Sequence, residues 1–242
     1  MYPPGVEREL SAFSLQTWET SNVPDDLFAQ VKTVFAENYR DANVAYLEKN
    51  LGKLRFMSTA HDADGRLAGF ALGECRVMDL PRLPGAVVLL AGLCCVGAEY
   101  RRHGLFGRLE RLALGAFTPP KSERHLSCGR CAHPASFRGF FNNPAAVPQR
   151  SVRPTEWQQE VGDAIAEAYG SPGFDPATFV VKGSGVPIGW PVIEIEATTE
   201  EWEMFRPVDR ARGDSLLGIA WHPSPPPGWL EPPVLGARPV GG

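Results

Sequence analysis

The clearest helical period in the chain runs over residues 24–39. Leu27, Phe28, Val31, Val34 and Phe35 recur at steps of three and four, and Pro24, Asp25 and Asp26 are residues that a helix start favours. A second helix is predicted over 41–51. The period then changes. Leu54, Phe56, Ser58 and Ala60 alternate as in a half-buried strand, Asp62-Ala63-Asp64-Gly65 reads as a hairpin turn, and 66–77 as the return strand. Residues 81–85 read as a loop. Residues 87–96 are apolar throughout, as in a strand covered on both faces or a buried helix, and the paired valines favour the strand. Leu105, Phe106, Leu109, Leu112, Ala113, Ala116 and Phe117 mark one face of the next helix. Beyond it the pattern predicts a short strand over 125–131, a short helix over 135–142, a helix within 155–169, and strands near 192–196 and 216–221. A β-prone stretch over 10–18 precedes the first helix.

Composition divides this series in two. Five of the 23 prolines precede residue 118, and five of the six tryptophans follow residue 150. The second half therefore reads as short elements between proline-punctuated loops, and residues 222–242 as a loose Pro/Gly-rich tail. A chain of 242 residues is long enough for one domain with a sizeable core, taken here as residues 1–221, with a core of about 10–145 and an extension over 146–221. The net charge of −4 argues against a nucleic-acid coat protein. The five cysteines are odd in number, and the start of the sequence has no apolar leader core, so the expected setting is cytoplasmic, with free thiols. The longest apolar run, residues 85–98, is shorter than the roughly 18 residues of a spanning helix, so no membrane partner is expected.

The segment that carries chemistry joins the apolar strand to the amphipathic helix. Its turn holds Arg101, Arg102, His103 and Gly104. The first turn of a helix exposes unpaired N–H groups and a partial positive charge. A glycine lets the backbone approach a bulky anion, and arginines add charge-assisted phosphate contacts. Strand, turn and helix start together make a cradle for a phosphate or diphosphate.

This stretch, Val96-Gly-Ala-Glu-Tyr-Arg-Arg-His-Gly-Leu-Phe-Gly-Arg-Leu109, resembles the acetyl-CoA-binding motif of the GNAT (GCN5-related N-acetyltransferase) superfamily, Gln/Arg-x-x-Gly-x-Gly/Ala. Arg101 takes the Gln/Arg position and Gly104 the central glycine, while Phe106 stands where Gly or Ala is usual. The element order over about 10–117 is also similar to that of the family. The resemblance implies an α/β fold with a mixed, mostly antiparallel sheet flanked by helices, carrying here a C-terminal extension. It implies a bulge in the strand before the loop, with Leu93, Cys94, Cys95 and Val96 pairing with pantetheine through their main chain. Arg101, Arg102, His103, Gly104, Leu105 and Phe106 would cradle the diphosphate. The implied co-substrate is acetyl-CoA or another acyl-CoA. The implied function is an acyl-CoA-dependent N-acyltransferase that moves acetyl to a primary amine of a small molecule by direct attack, with a homodimer left open. The alternatives are a non-catalytic acyl-CoA-binding sensor or assembly module, and related chemistry on another acyl thioester.

One departure bears on catalysis. Many members of the family place a tyrosine, as the acid, in the helix after the next strand. The corresponding segment here, residues 133–141, has Phe137, Phe140 and Phe141 but no tyrosine. His133 is a candidate replacement. Glu74, in the return strand, is a candidate general base, set against a plain solvent-facing role. His125, Cys128, Cys131 and His133 have donor types that suit tetrahedral zinc, but they crowd one short strand whose faces alternate, so buried or edge roles are expected and no metal. Cys94 and Cys95 should point to opposite faces. The late tryptophans, Trp157, Trp190, Trp202, Trp221 and Trp229, fit either an acceptor cavity or a core or interface.

Overall fold

The computed structural model describes residues 13–116, 124–192 and 194–230. The first residues of the predicted 10–18 strand, Phe117, Ile193 and most of the predicted tail lie outside them. The chain opens with β1 (Ser14–Glu19) and α1 (Asp25–Asn38), which buries Leu27, Val31, Val34 and Phe35. β2 (Tyr39–Arg40) leads to α2 (Val44–Leu51), which starts later than predicted because the side chain of Asn43 caps it by accepting the Tyr46 N–H at 2.9 Å. β3 (Phe56–His61) and β4 (Leu67–Leu80) form the predicted hairpin. Asp62 Oδ1 accepts the N–H groups of Asp64 and Arg66 in its turn, at 3.0 and 2.9 Å.

β5 (Leu83–Val96) is longer than the predicted strand, and the predicted 81–85 loop shrinks to a tight turn. Pro81 occupies its first central position and Arg82, at φ 65°, its second, the arrangement of a type II turn, so Leu80 already pairs with Leu83. The helix after the arginine-rich turn is α3 (Leu105–Gly115), followed by β6 (His125–Cys131) and α4 (Pro134–Phe141). The extension supplies β7 (Ala146–Val147), α5 (Glu156–Ala168), β8 (Phe174–Asp175), β9 (Val180–Val181), β10 (Trp190–Pro191), α6 (Thr199–Met204) and β11 (Ser215–His222). The strand predicted near 192–196 is a correction: the ribbon pairs only Trp190 and Pro191 with β2, the Val192 N–H adds one last bond in that register, to the Asn38 carbonyl at 2.9 Å, and residues 194–198 are not in a strand.

The main sheet runs β1-β3-β4-β5-β6-β11-β9-β8, with β7 added to β11, and among the described residues only the β5–β6 pair is parallel. The fold is thus a mixed α/β arrangement whose sheet is mostly antiparallel and flanked by helices, as expected. α3 lies over β3, β4 and β5, where Leu105, Leu109 and Ala113 pack on Ala60, Ala68, Ala71 and Val96. The approach is close: a Cβ added at Gly73 would lie 3.1 Å from the Ala113 side chain. α1 and α5 belong to a second, larger core with Phe70, Leu72, Leu90 and Cys95.

The tryptophans separate into two groups. Trp157 and Trp221 both meet Trp229 edge-on, at centroid distances of 5.3 and 5.9 Å. Trp229 is fully buried, donates its indole N–H to Ala145 O at 3.1 Å, and its carbonyl accepts from Gln158 at 2.8 Å. The first part of the predicted tail therefore closes the core, because one large aromatic anchors eight otherwise irregular residues.

Candidate functional site

The site begins where two parallel strands part. β5 and β6 pair from Val87↔His125 to Ala91↔Gly129 and then separate. On the other side of β5 the register shifts at the same level: Ala71 pairs with Cys94 but Gly73 with Ala91, so β5 carries one extra residue around Gly92 and Leu93. This is a β-bulge, which bends its strand and re-aims the backbone. Among the described residues no strand pairs with the edge of β5 that faced β6 from Leu93 to Val96, which leaves a slot bordered by main-chain donors and acceptors.

The two cysteines of the slot face opposite ways, as strand alternation requires. Cys95 is buried against α1, its thiol 3.8 Å from Val34 O, and burial pushes its pKa up to about 12. Cys94 is half-buried under α3, 3.9 Å from Phe106 O, and burial raises its pKa as well. Both stay protonated at neutral pH, which disfavours a thiolate nucleophile here.

The slot leads into the arginine-rich turn. Arg102 and Gly104 have φ of 71° and 70°, and Gly104 is the N-cap of α3, with no side chain capping the helix. Among the described residues no side chain caps the first amides of α3, at Leu105 and Phe106, and Arg102 is exposed beside them. Arg101 points the other way. Its guanidinium donates to Val96 O at 3.2 Å and to Oδ1 of the buried Asn38 at 3.0 Å. The turn therefore presents main chain with the exposed Arg102 and the half-buried His103, and Arg101 is the strut that ties it to the end of α1.

His133 is the N-cap of α4, two residues beyond the end of β6. Its Nδ1 accepts the Ala135 N–H at 3.1 Å, so the neutral ring carries its proton on Nε2. Burial, reinforced by Arg210, lowers its pKa and keeps it neutral near pH 7. It meets Trp202 edge-on at 5.0 Å, and Arg210 lies 5.5 Å over Trp202 and 4.8 Å over Trp190. Arg210 also pairs with Glu194, and Arg138 with Glu201 at 2.7 Å. Trp190 belongs to the ribbon in which β10 pairs with β2, directly after α1. Two tryptophans and an arginine thus link the β6 rim of the slot to the α1 rim.

Glu74 lies on β4 opposite Leu90. Its carboxylate accepts Nε and Nη2 of Arg76 at 2.6 and 2.8 Å and the Arg55 N–H at 3.1 Å. It is engaged by three donors rather than open to a substrate. Arg76 in turn donates to Ala168 O, at the end of α5, at 3.4 Å. His125 stacks on His222 at 5.4 Å, and among the described residues no group of three or more His, Cys, Asp or Glu side chains is placed to hold a metal ion.

Two residues near the slot escaped the sequence reading. Glu110 sits one turn after Phe106 on α3, half-buried, without a hydrogen-bonding partner among the described residues. Burial raises its carboxyl pKa, and its charge is felt by Cys94, Cys131 and Tyr169 around the slot. The available signal was an acid on the helix flank that continues from Phe106. Tyr169, the C-cap of α5, brings its hydroxyl to the point where β5 and β6 part, 2.8 Å from Ala91 O and 3.0 Å from Cys128 O. Nothing local in the sequence marks it.

No protein-family model and no curated protein sequence matches the chain. Solved structures do. The chain is similar to a GNAT family N-acetyltransferase of Escherichia coli in complex with CoA, at 19% identity over 53% of this chain and 67% of that one, with a TM-score of 0.37. It is similar to the ribosomal-protein-S18-alanine N-acetyltransferase of Escherichia coli, at 12% identity over 89% and 98% of the two chains, with a TM-score of 0.38. It is also similar to an aminoglycoside acetyltransferase from an uncultured soil metagenomic sample in complex with sisomicin, at 13% identity over 41% and 65%, with a TM-score of 0.29.

Proposed function

We propose that this chain binds an acyl-CoA and transfers its acyl group, acetyl in the simplest case, to a primary amine of a small molecule. The observation that carries the reading is the continuous path from the bulged, unpaired edge of β5 to the uncapped start of α3. A chain of amides in an extended linker can pair with such an edge, and a diphosphate can dock on such a helix start. The main chain of Leu93, Cys94, Cys95 and Val96 would hold the pantetheine arm. The amides of Leu105 and Phe106, with Arg102 and His103, would hold the diphosphate, and Gly104 gives it room. Arg101 fixes that loop from behind. When bound, the thioester supplies an activated acyl carbon.

Proton handling falls to the slot's own groups. As the amine nitrogen bonds to the acyl carbon and the C–S bond breaks, one proton must leave nitrogen and one must reach sulfur. Glu110, half-buried with a raised pKa, suits the acceptor role, and the Nε2 proton of His133 suits donation through water. The tryptophan and arginine stack of Trp190, Trp202 and Arg210 would wall the acceptor side.

Calorimetry with CoA and acetyl-CoA at up to millimolar concentration tests the reading, together with thiol release in the presence of an amine panel. Binding that Gly104→Glu abolishes is expected, because that change places a carboxylate in the cradle. No binding by the wild type, or equal binding by Gly104→Glu, would sink it. A binding module without turnover is the second reading, favoured by the engagement of Glu74 and the lack of a tyrosine on α4. Binding without thiol release across the panel would support it.

A further inference from the structure

The residue that sets the position of the slot comes from the extension. We propose that Tyr169 is a positioning residue that fixes the level at which β5 and β6 separate, and so the seat of the thioester end of the ligand; this rests on the acyl-CoA reading above. The argument starts from the hydrogen bonds of the last rungs. Ala91 is the final β5 residue in register with β6, and Cys128 lies one rung earlier on the other strand. Both carbonyls belong to the last paired rungs of the parallel ladder. Here the strands have begun to part, and the Tyr169 hydroxyl stands between them, at 2.8 and 3.0 Å from the two oxygens. It has one proton and can donate to only one carbonyl at a time, so a single rotor serves both strands.

The hydroxyl is held in place from three directions. Tyr169 caps α5, whose N-terminus carries a reciprocal capping box between Thr155 and Gln158. Its ring is buried. The carbonyl before it, Ala168 O, accepts from Arg76, which Glu74 holds with two hydrogen bonds. Glu74 is thereby assigned to position rather than to proton transfer. A chain of contacts runs from β4 through the Glu74–Arg76 pair and the end of α5 to the apex of the slot. Burial raises the tyrosine pKa well above its usual value, so the hydroxyl remains a neutral donor across the working range.

The test separates the two ends of the ligand. Tyr169→Phe keeps the ring and removes the hydroxyl. By calorimetry it should weaken CoA at least tenfold while leaving 3′-phospho-ADP, which reaches only the cradle, within twofold of wild type. In the ligand-free protein, hydrogen exchange of the amides over 92–96 and 129–131 should accelerate at least tenfold in Y169F, with β3 and β4 unchanged. Glu74→Gln should move both readouts in the same direction by a smaller factor, and it serves as the test if Y169F does not fold. Unchanged CoA affinity, or equal loss for both ligands, would overturn the proposal, as would unchanged exchange at the apex. Wild-type protein that binds neither ligand would overturn the acyl-CoA reading instead, while the exchange measurement still decides the role of Tyr169 in the fold.

Discussion

Arg101 donates to Asn38 Oδ1 at 3.0 Å, across 63 positions of sequence, so the first arginine of the turn ties the start of α3 to the end of α1. Asn38 is buried, and its amide nitrogen is already spent on Val34 O at 2.8 Å. Removing the guanidinium leaves the Asn38 oxygen and the Val96 carbonyl without this donor, at about 1–3 kcal/mol for an unsatisfied buried group. Arg101→Ala should therefore lower the melting temperature by several degrees and weaken CoA, whereas Arg102→Ala should weaken CoA with no thermal effect. Differential scanning calorimetry and titration calorimetry on the two variants check this; equal thermal stability of both would refute it.

Glu110→Gln should reduce turnover about 10²-fold or more, the usual scale for a general base, with CoA affinity within threefold of wild type. Because burial raises the Glu110 pKa, the acid limb of the kcat/KM profile should sit above the ordinary carboxylate range and vanish in the variant. A retained limb would assign it to another group.

Arg210 stacks over Trp190 and Trp202 at 4.8 and 5.5 Å. If this stack walls the acceptor side, Trp202→Ala should raise the KM for the amine at least fivefold and leave the KM for acyl-CoA within twofold. Steady-state kinetics in both substrates decides it.

Acid should destabilise the fold in the range where histidine titrates. Burial is the largest cause lowering the pKa of both His125 and His133, followed by the charges of His222 and Arg210 respectively. A histidine whose folded pKa lies below its unfolded value of about 6.5 binds fewer protons folded than unfolded, so its contribution to stability is present above pH 6.5 and declines as pH falls toward the folded pKa. Melting temperature should drop between pH 6.5 and 5.5, before Asp175, Asp214 and Glu201, whose pKa values are lowered, begin to titrate. The drop should shrink in His125→Gln and in His133→Gln.

Gly218 and Gly129 pair across β11 and β6 beneath α4. A Cβ at Gly218 would lie 2.8 Å from the rings of Phe137 and Phe140. Gly218→Val should therefore cost about 1–3 kcal/mol by overpacking and displace α4, measurable as a lower urea midpoint.

Much of the first half was legible because its elements announce themselves locally. The α1 stripe, the Asp-Gly hairpin and the apolar run before the arginine turn are short-range patterns, and each is where the pattern put it. The errors fall where a single contact overrides the pattern: Asn43 delays α2, and Trp229 pulls the start of the predicted tail into the core. The site shows the same division. The helix start at Gly104 was readable from the strand–turn–helix unit and the bulge was expected only through the family resemblance, but the direction of Arg101 and the engagement of Glu74 were not, because each depends on an acceptor or donor that neighbours it only after folding.

The sequence by itself determined the periods, the turns and the unit of apolar strand, Arg-Arg-His-Gly turn and amphipathic helix, since these follow from steric preference and burial within some fifteen residues. Only the tertiary structure decided that β5 and β6 part after Ala91, that the charge of Glu110 reaches Cys94, Cys131 and Tyr169, and that the Tyr169 hydroxyl meets the Ala91 carbonyl from 78 positions away along the chain. Hydrogen bonds and burial between distant segments depend on which surfaces the packing brings together, and no local pattern encodes that pairing.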